Sequence, residues 1–186
     1  MMSRPVQSAT VRADVQSDEL RSVYLVRHAF AGHADAARWP DDAKRPLTTD
    51  GIRRFRAAAA GLHVIAPDAA RVLSSGYARA WQTAELLREV AKWPEPEECS
   101  ALEAGQPVRG ALDALRDCAG ESVALVGHEP FLSRLASLLC AGHEDTLRLK
   151  LKKGGVVLIR IEAGIRPDGG CLMWSVTPKH LRAVAE

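Results

Sequence analysis

The chain is predicted to fold as an α/β protein, a three-layer α/β/α sandwich around a largely parallel sheet. Three short β-rich runs, Val23 to Val26, Arg71 to Ser74 and Glu121 to Val126, are separated by segments with helical spacing. Strands joined through helices of ten or more residues need crossover connections, which make the strands parallel and place helices on both faces. Each run also leads into polar residues, Arg27-His28, Ser74-Ser75 and Gly127-His128. In such sheets the loops at the carboxyl ends of the strands converge on one crevice, so these three outcrops are expected to meet.

The elements follow in order. Met1 to Arg21 is polar, with Arg4, Arg12 and Arg21 balanced by Asp14, Asp18 and Glu19, and is expected to be a loose tail before a single domain spanning residues 22–186. After the first strand, a loop rich in Ala, Asp and Pro leads to Thr48-Thr49-Asp50, a helix-start signal, and a helix predicted to close at Gly61. Tyr77 to Lys92 has helical spacing, with Trp81, Ala84, Leu87 and Val90 or Ala91 on one face, and Trp93-Pro94 ends it. A third helix is predicted over Val108 to Asp117, closing at Gly120, and a fourth over Phe131 to Cys140, opened by Pro130. Gly155 to Ile161 and Leu172 to Thr177 read as two further strands around Pro167-Asp168-Gly169-Gly170, and Pro178 to Ala185 as a last short helix.

Composition narrows the function. With 186 residues and 47% hydrophobic content, the chain can bury a full core. A net charge of +2, with no run of five like charges, argues against nucleic acid or an anionic membrane as partner. No apolar stretch approaches the roughly 20 residues that span a bilayer, and residues 1–22 lack a signal-peptide pattern, so a cytoplasmic protein is expected. Cys99, Cys118, Cys140 and Cys171 form no Cys-x-x-Cys pair and are expected to be reduced and mostly buried. His33, Asp35, Asp41 and Asp42 lack metal-ligand spacing, so neither metal nor cofactor is expected. His63, His143 and His180 are expected at the surface, and Lys150, Lys152 and Lys153 in a solvated turn.

The three strand ends carry the chemistry of phosphoryl transfer. A neutral imidazole is a competent nucleophile toward phosphorus, and arginine forks match the equatorial oxygens of a phosphoryl group in transfer. His28 and His128 supply the imidazoles, while Arg27, Arg79 and Arg45 are available as a clamp.

The ordered segments Leu25-Val26-Arg27-His28-Ala29, Arg45-Pro46-Leu47-Thr48-Thr49-Asp50-Gly51, Ser74 through Ala84 and Val126-Gly127-His128-Glu129-Pro130 resemble the histidine phosphatase superfamily, and within it the short SixA-type phosphohistidine phosphatases. The resemblance implies a phosphoglycerate-mutase-like fold and a metal-independent phosphatase. His28 would be transiently phosphorylated, Arg27, Arg79 and His128 would hold the phosphate, and Arg45 and Ser75 would line the substrate site. Arg45 as a solvated loop residue is the competing reading.

Two departures bear on this. The family has Gly after Arg-His where this chain has Ala29, which matters if the position needs positive φ or close approach of phosphate. The proton donor of the mutase-like members has Glu103 as its nearest counterpart, which does not align securely with that acid and reads rather as an exposed loop carboxylate. The P–N bond of phosphohistidine has a leaving imidazole that already carries or readily acquires its proton, so a weak acid favours phosphohistidine over an alkyl phosphate. The short interval after Gly127 leaves no room for a lid, which suits a phosphate carried on a protein. The expected substrate is therefore phosphohistidine in a signalling or phosphotransfer protein. The alternatives are a sugar or nucleotide phosphomonoesterase of the same superfamily, favoured if Glu103 is a working acid, and a non-catalytic phospholigand-binding module, favoured by Ala29.

Overall fold

A computed structural model describes residues 22–66, 68–118 and 122–185. The expected tail 1–21, the helix closure at Gly120 and the strand start at Glu121 lie outside the described residues. In chain order the elements are β1 (Ser22–Arg27), α1 (Thr49–Ile65), β2 (Arg71–Ser74), α2 (Ala78–Leu86), β3 (Pro96–Glu98), α3 (Arg109–Arg116), β4 (Ser122–Gly127), α4 (Phe131–Ala141), β5 (Val156–Ile161), β6 (Gly170–Val176) and α5 (Pro178–Val184). They build one six-stranded sheet in the order β3-β2-β4-β1-β5-β6. β1 to β4 run parallel, and β5 is antiparallel to both β1 and β6. Among the described residues no helix is long and apolar enough to cross a membrane.

Buried parallel strands need apolar residues on both faces, and β1 provides them by simple alternation. Val23 and Leu25 face one core with Leu112 and Leu115 of α3 and Leu132 and Leu135 of α4. Tyr24 and Val26 face the other with Phe55, Ala58 and Leu62 of α1, Ala80 and Ala84 of α2 and Leu181 of α5. These two cores make the expected three layers. The register pairs Arg27 of β1 with Gly127 of β4 and Ser74 of β2 with Val126 of β4, so all three polar outcrops emerge at one end of the sheet.

Several element boundaries differ from expectation. α1 runs through Gly61 to Ile65, capped at its start by Thr48. Gly61 is required by close approach instead: a β-carbon there would overlap the Leu181 carbonyl oxygen of α5. Gly61→Ala is therefore expected to lower stability by at least about 2 kcal/mol, read from the urea midpoint, because backbone must move. That loss outweighs the ~1 kcal/mol that alanine adds in a helix interior.

The long helix expected from Tyr77 is regular only to Leu86. It then widens into a π turn over Leu87–Ala91 and stops at Lys92, whose φ is 64°. The wider turn brings Leu86, Leu87 and Ala91 into the core and leaves Trp81 half-buried. β3 carries no apolar alternation, so nothing in Pro96-Glu97-Glu98 announced it. It is an edge strand paired only with β2, a position that tolerates proline. Trp93 packs on Tyr24 at 5.2 Å and donates its indole N–H to the Ala66 carbonyl. Cys118 is buried, whereas Cys99 and Cys140 are half-buried and Cys171 is exposed, so the thiols are less buried than their spacing suggested.

Candidate active site

Backbone hydrogen bonds lock the strand ends together before any side chain acts. The His28 N–H donates to the Gly127 carbonyl at 3.0 Å, and the Ser75 N–H donates to that of Val126, also at 3.0 Å. The two imidazoles then lie with ring centroids 5.2 Å apart and planes tilted by 52°. His28 is 6% exposed and His128 3%.

His28 is oriented by its own chain. Its Nδ1 sits 2.7 Å from the Ala29 carbonyl oxygen, which can only accept, so Nδ1 carries the proton and the Nε2 lone pair is left free. The Ala29 N–H donates to Thr83 Oγ1 at 3.0 Å, and that hydroxyl donates to the Arg79 carbonyl. Gln82 Oε1 accepts the Leu47 N–H at 2.8 Å. The Gln-Thr pair of α2 thus ties the loops after β1 to the helix that bears Arg79. Ala29 is 3% exposed, and the described non-glycine residues with positive φ are Lys92 and Asp168, so alanine is unstrained at this position.

His128 Nε2 lies 3.0 Å from Ser75 Oγ, which also accepts the Tyr77 N–H. The Tyr77 ring stands 4.9 Å from His128 and 5.0 Å from the Arg79 guanidinium carbon. Arg79 is 5% exposed and donates to the backbone carbonyl of Asp42 at 2.7 Å. The Asp42 carboxylate bridges two arginines, with Oδ2 at 3.1 Å from Arg79 Nη2 and Oδ1 at 2.7 Å from Arg45 Nε. Arg45 is 8% exposed and also donates to the Ala31 carbonyl, so it is not a solvated loop residue. Arg27 is anchored through Nη1 to the Leu151 carbonyl at 2.8 Å. Arg27 Nε, Arg79 Nε, His128 Nδ1 and Glu129 Oε1 are buried and have no hydrogen-bond partner among the described residues. Buried orphan polar groups cost about 1–3 kcal/mol each, and the three nitrogens among them, on the residues that surround the two imidazoles, suit oxyanion oxygens.

Burial holds both imidazoles neutral. It pulls His28 from 6.5 down to about 3, against the Ala29 hydrogen bond and with help from His128, Arg79 and Arg27. Burial likewise takes His128 to about 4, helped by Arg79. As pH falls below 6.5 the unfolded chain binds protons that the folded chain does not, so this contribution to stability is complete above pH 6.5 and is lost as pH falls to about 4 for His128 and about 3 for His28. The melting temperature is expected to fall across that window more steeply in the native chain than in His28→Ala. Equal slopes would show that the imidazole is not held neutral by the fold.

Glu103 follows the 3-10 turn Ser100–Leu102 and is half-exposed. Its carboxylate, with that of Glu98, lies over Gly76, where a β-carbon would stand 3.5 Å from Glu103 Oε1 and 2.6 Å from Glu98 Oε1. It therefore stands on the rim beside Ser75. Sequence reasoning weighed Asp42 only as a metal donor, although its spacing of three from Arg45 could have suggested an ion pair. Among the described residues, no group of three or more His, Cys, Asp or Glu comes together to hold a metal ion. Lys153 also corrects an expectation: it is half-buried, 5.0 Å from the Phe30 ring centroid, and burial beside Arg27, Arg45 and Arg79 lowers its pKa.

Residues 23–103 match the model of the histidine phosphatase superfamily, branch 1. An uncharacterised protein of Picosynechococcus sp. strain PCC 7002 is 32% identical over 145 residues, 74% of this chain and 84% of that one. The phosphohistidine phosphatase SixA of Escherichia coli K12 is 30% identical over 165 residues, 86% of this chain and 96% of that one. A structure of the protein histidine phosphatase SixA complexed with tungstate superposes with a TM-score of 0.72 at 24% identity, covering 86% of this chain and 99% of that one. The chain therefore belongs to the histidine phosphatase superfamily, in its short SixA-type branch.

Proposed function

We propose that the protein is a metal-independent phosphohistidine phosphatase that works through a phosphorylated His28. The observation that carries this reading is the Nδ1 hydrogen bond to Ala29, which leaves a neutral Nε2 lone pair among orphan donors of Arg27, Arg79 and His128. In the first step Nε2 of His28 attacks phosphorus and the P–N bond to the substrate imidazole breaks. The bonding pair stays on the departing nitrogen, and the substrate leaves as neutral imidazole because its other nitrogen holds the proton. In the second step water attacks phosphorus, the P–Nε2 bond breaks, its pair returns to Nε2, and the water proton passes to solvent with inorganic phosphate. Arg27 and Arg79 spread the equatorial charge and His128 supports it, with Arg45 and Ser75 positioning the neighbouring groups.

No carboxylate contacts either imidazole by a hydrogen bond among the described residues, which suits a leaving group that needs no strong acid. The second reading, a small-molecule phosphomonoesterase, is favoured by Glu103 and Glu98 over Gly76. The two separate in one experiment: phosphate release in chelator from a histidine-phosphorylated phosphotransfer domain and from an alkyl phosphate such as glucose 6-phosphate, whose alkoxide needs a proton to leave, with Glu103→Gln alongside. The expected result is at least about 100-fold higher kcat/KM on the P–N substrate, unchanged by Glu103→Gln, since general acid catalysis is worth about 10²–10⁴ where it is used. Faster ester cleavage that Glu103→Gln removes would establish the second reading instead.

A further inference from the structure

A trough of about 500 Å³ shares Arg27 and Ala29 with the site above and is otherwise lined by residues the chemistry does not use, from the first loop, α1, the turn at 152–154 and α5. Its floor is apolar, made by Phe30, Phe55 and Pro178, and its walls carry Arg54, Lys152, Lys153, Lys179 and Arg182 with no acidic side chain in the lining. Asp50, in the first turn of α1, is engaged by Arg53 and Arg54. Phe30 is 41% exposed. Its backbone is fixed nonetheless: the carbonyl accepts from Thr48 N–H at 3.1 Å and from Thr48 Oγ1 at 3.3 Å, and it packs against Gly51. An exposed aromatic ring on a fixed backbone has only two side-chain torsions to order on binding.

We infer that this trough docks an acidic segment of the phosphoprotein substrate, with an apolar side chain of that segment seated on Phe30 and its carboxylates on the surrounding lysines and arginines. The inference rests on the phosphohistidine phosphatase reading and adds the chemistry of the partner's surface. The cations favour an extended occupant over a second phosphate. They stand on three separate elements around an apolar floor, Lys152 and Lys179 are exposed on long flexible stems, and no array of fixed donors converges on one point. Cationic walls that meet an acidic partner mainly speed encounter and set specificity, and they act less at high salt.

The test uses the full chain and its Lys152→Glu/Lys179→Glu variant, both positions being exposed. The first measurement is fluorescence anisotropy of a labelled glutamate-rich peptide carrying two leucines, with a lysine-rich counterpart as control. Expected are binding of the acidic peptide alone, at least about tenfold weakening by the double variant, loss in 0.5 M salt and persistence in saturating inorganic phosphate. Absence of binding, equal binding to the variant or displacement by phosphate would overturn the inference. The second measurement compares hydrolysis of a histidine-phosphorylated phosphotransfer domain with that of phosphoimidazole. The double variant is expected to raise KM at least about tenfold for the domain, with kcat and the phosphoimidazole reaction unchanged. Equal loss on both substrates would also overturn it. If the native chain hydrolyses neither substrate yet the peptide results hold, the phosphatase reading fails and the trough stands.

Discussion

Replacing His28 with alanine is expected to lower phosphate release by at least about 10³-fold, the scale on which loss of a covalent nucleophile acts, and to remove any phosphorylated enzyme from acid-sensitive, alkali-stable trapping assays. The expectation follows from geometry that leaves no evident substitute. His128 is the other imidazole within reach, but its Nε2 is committed to Ser75 Oγ. The variant should still fold, because the His28 backbone N–H keeps its bond to Gly127 whatever the side chain. Lost turnover with an unchanged melting temperature at pH 7.5 would assign the chemistry to His28. Retained turnover, or a phosphoenzyme that persists in the variant, would move the nucleophile elsewhere.

Arg79→Ala is the second large effect, expected to cost about 10²–10³-fold in kcat, as loss of one preorganised charge-stabilising group does. Lysine should recover little, since a point charge cannot reproduce a fork that meets Asp42 and a phosphoryl group together. Arg79 also ties down the loop at Asp42, so the clamp has to be separated from the tie. Asp42→Ala removes the carboxylate and keeps the guanidinium, and it should stay within about tenfold of the native rate. If the two variants fall equally, Arg79 acts by ordering the loop, and the anion clamp reduces to Arg27 and His128.

The layered fold was legible because its determinants are local. Apolar runs of four to six residues at fixed polar outlets mark strands buried on both faces, and the helices between them carry the 3.6-residue spacing that dictates crossovers. Boundaries were less legible where a distant element decides them. Gly61 reads as a helix stop from its neighbours, yet it lies inside α1 because α5, more than a hundred residues later, presses its backbone against it. β3 was invisible for a related reason: Pro-Glu-Glu becomes a strand only because β2 offers an open edge.

For the site, residue types and order were enough to single out His28, Arg27, Arg79 and His128, since their chemistry is a property of the side chains and their meeting follows from parallel strands. What depended on the tertiary structure was protonation, orientation and pairing. The Ala29 carbonyl sets the His28 tautomer, burial holds both imidazoles neutral, and Asp42 draws Arg45 and Arg79 into one cluster. Each is a matter of distance and desolvation, quantities that exist only once the chain has packed. The sequence by itself therefore determined which groups can act and on which sheet they lie. Only the folded molecule decided which of their atoms are free, which are charged, and that a cationic trough with an aromatic floor opens beside them.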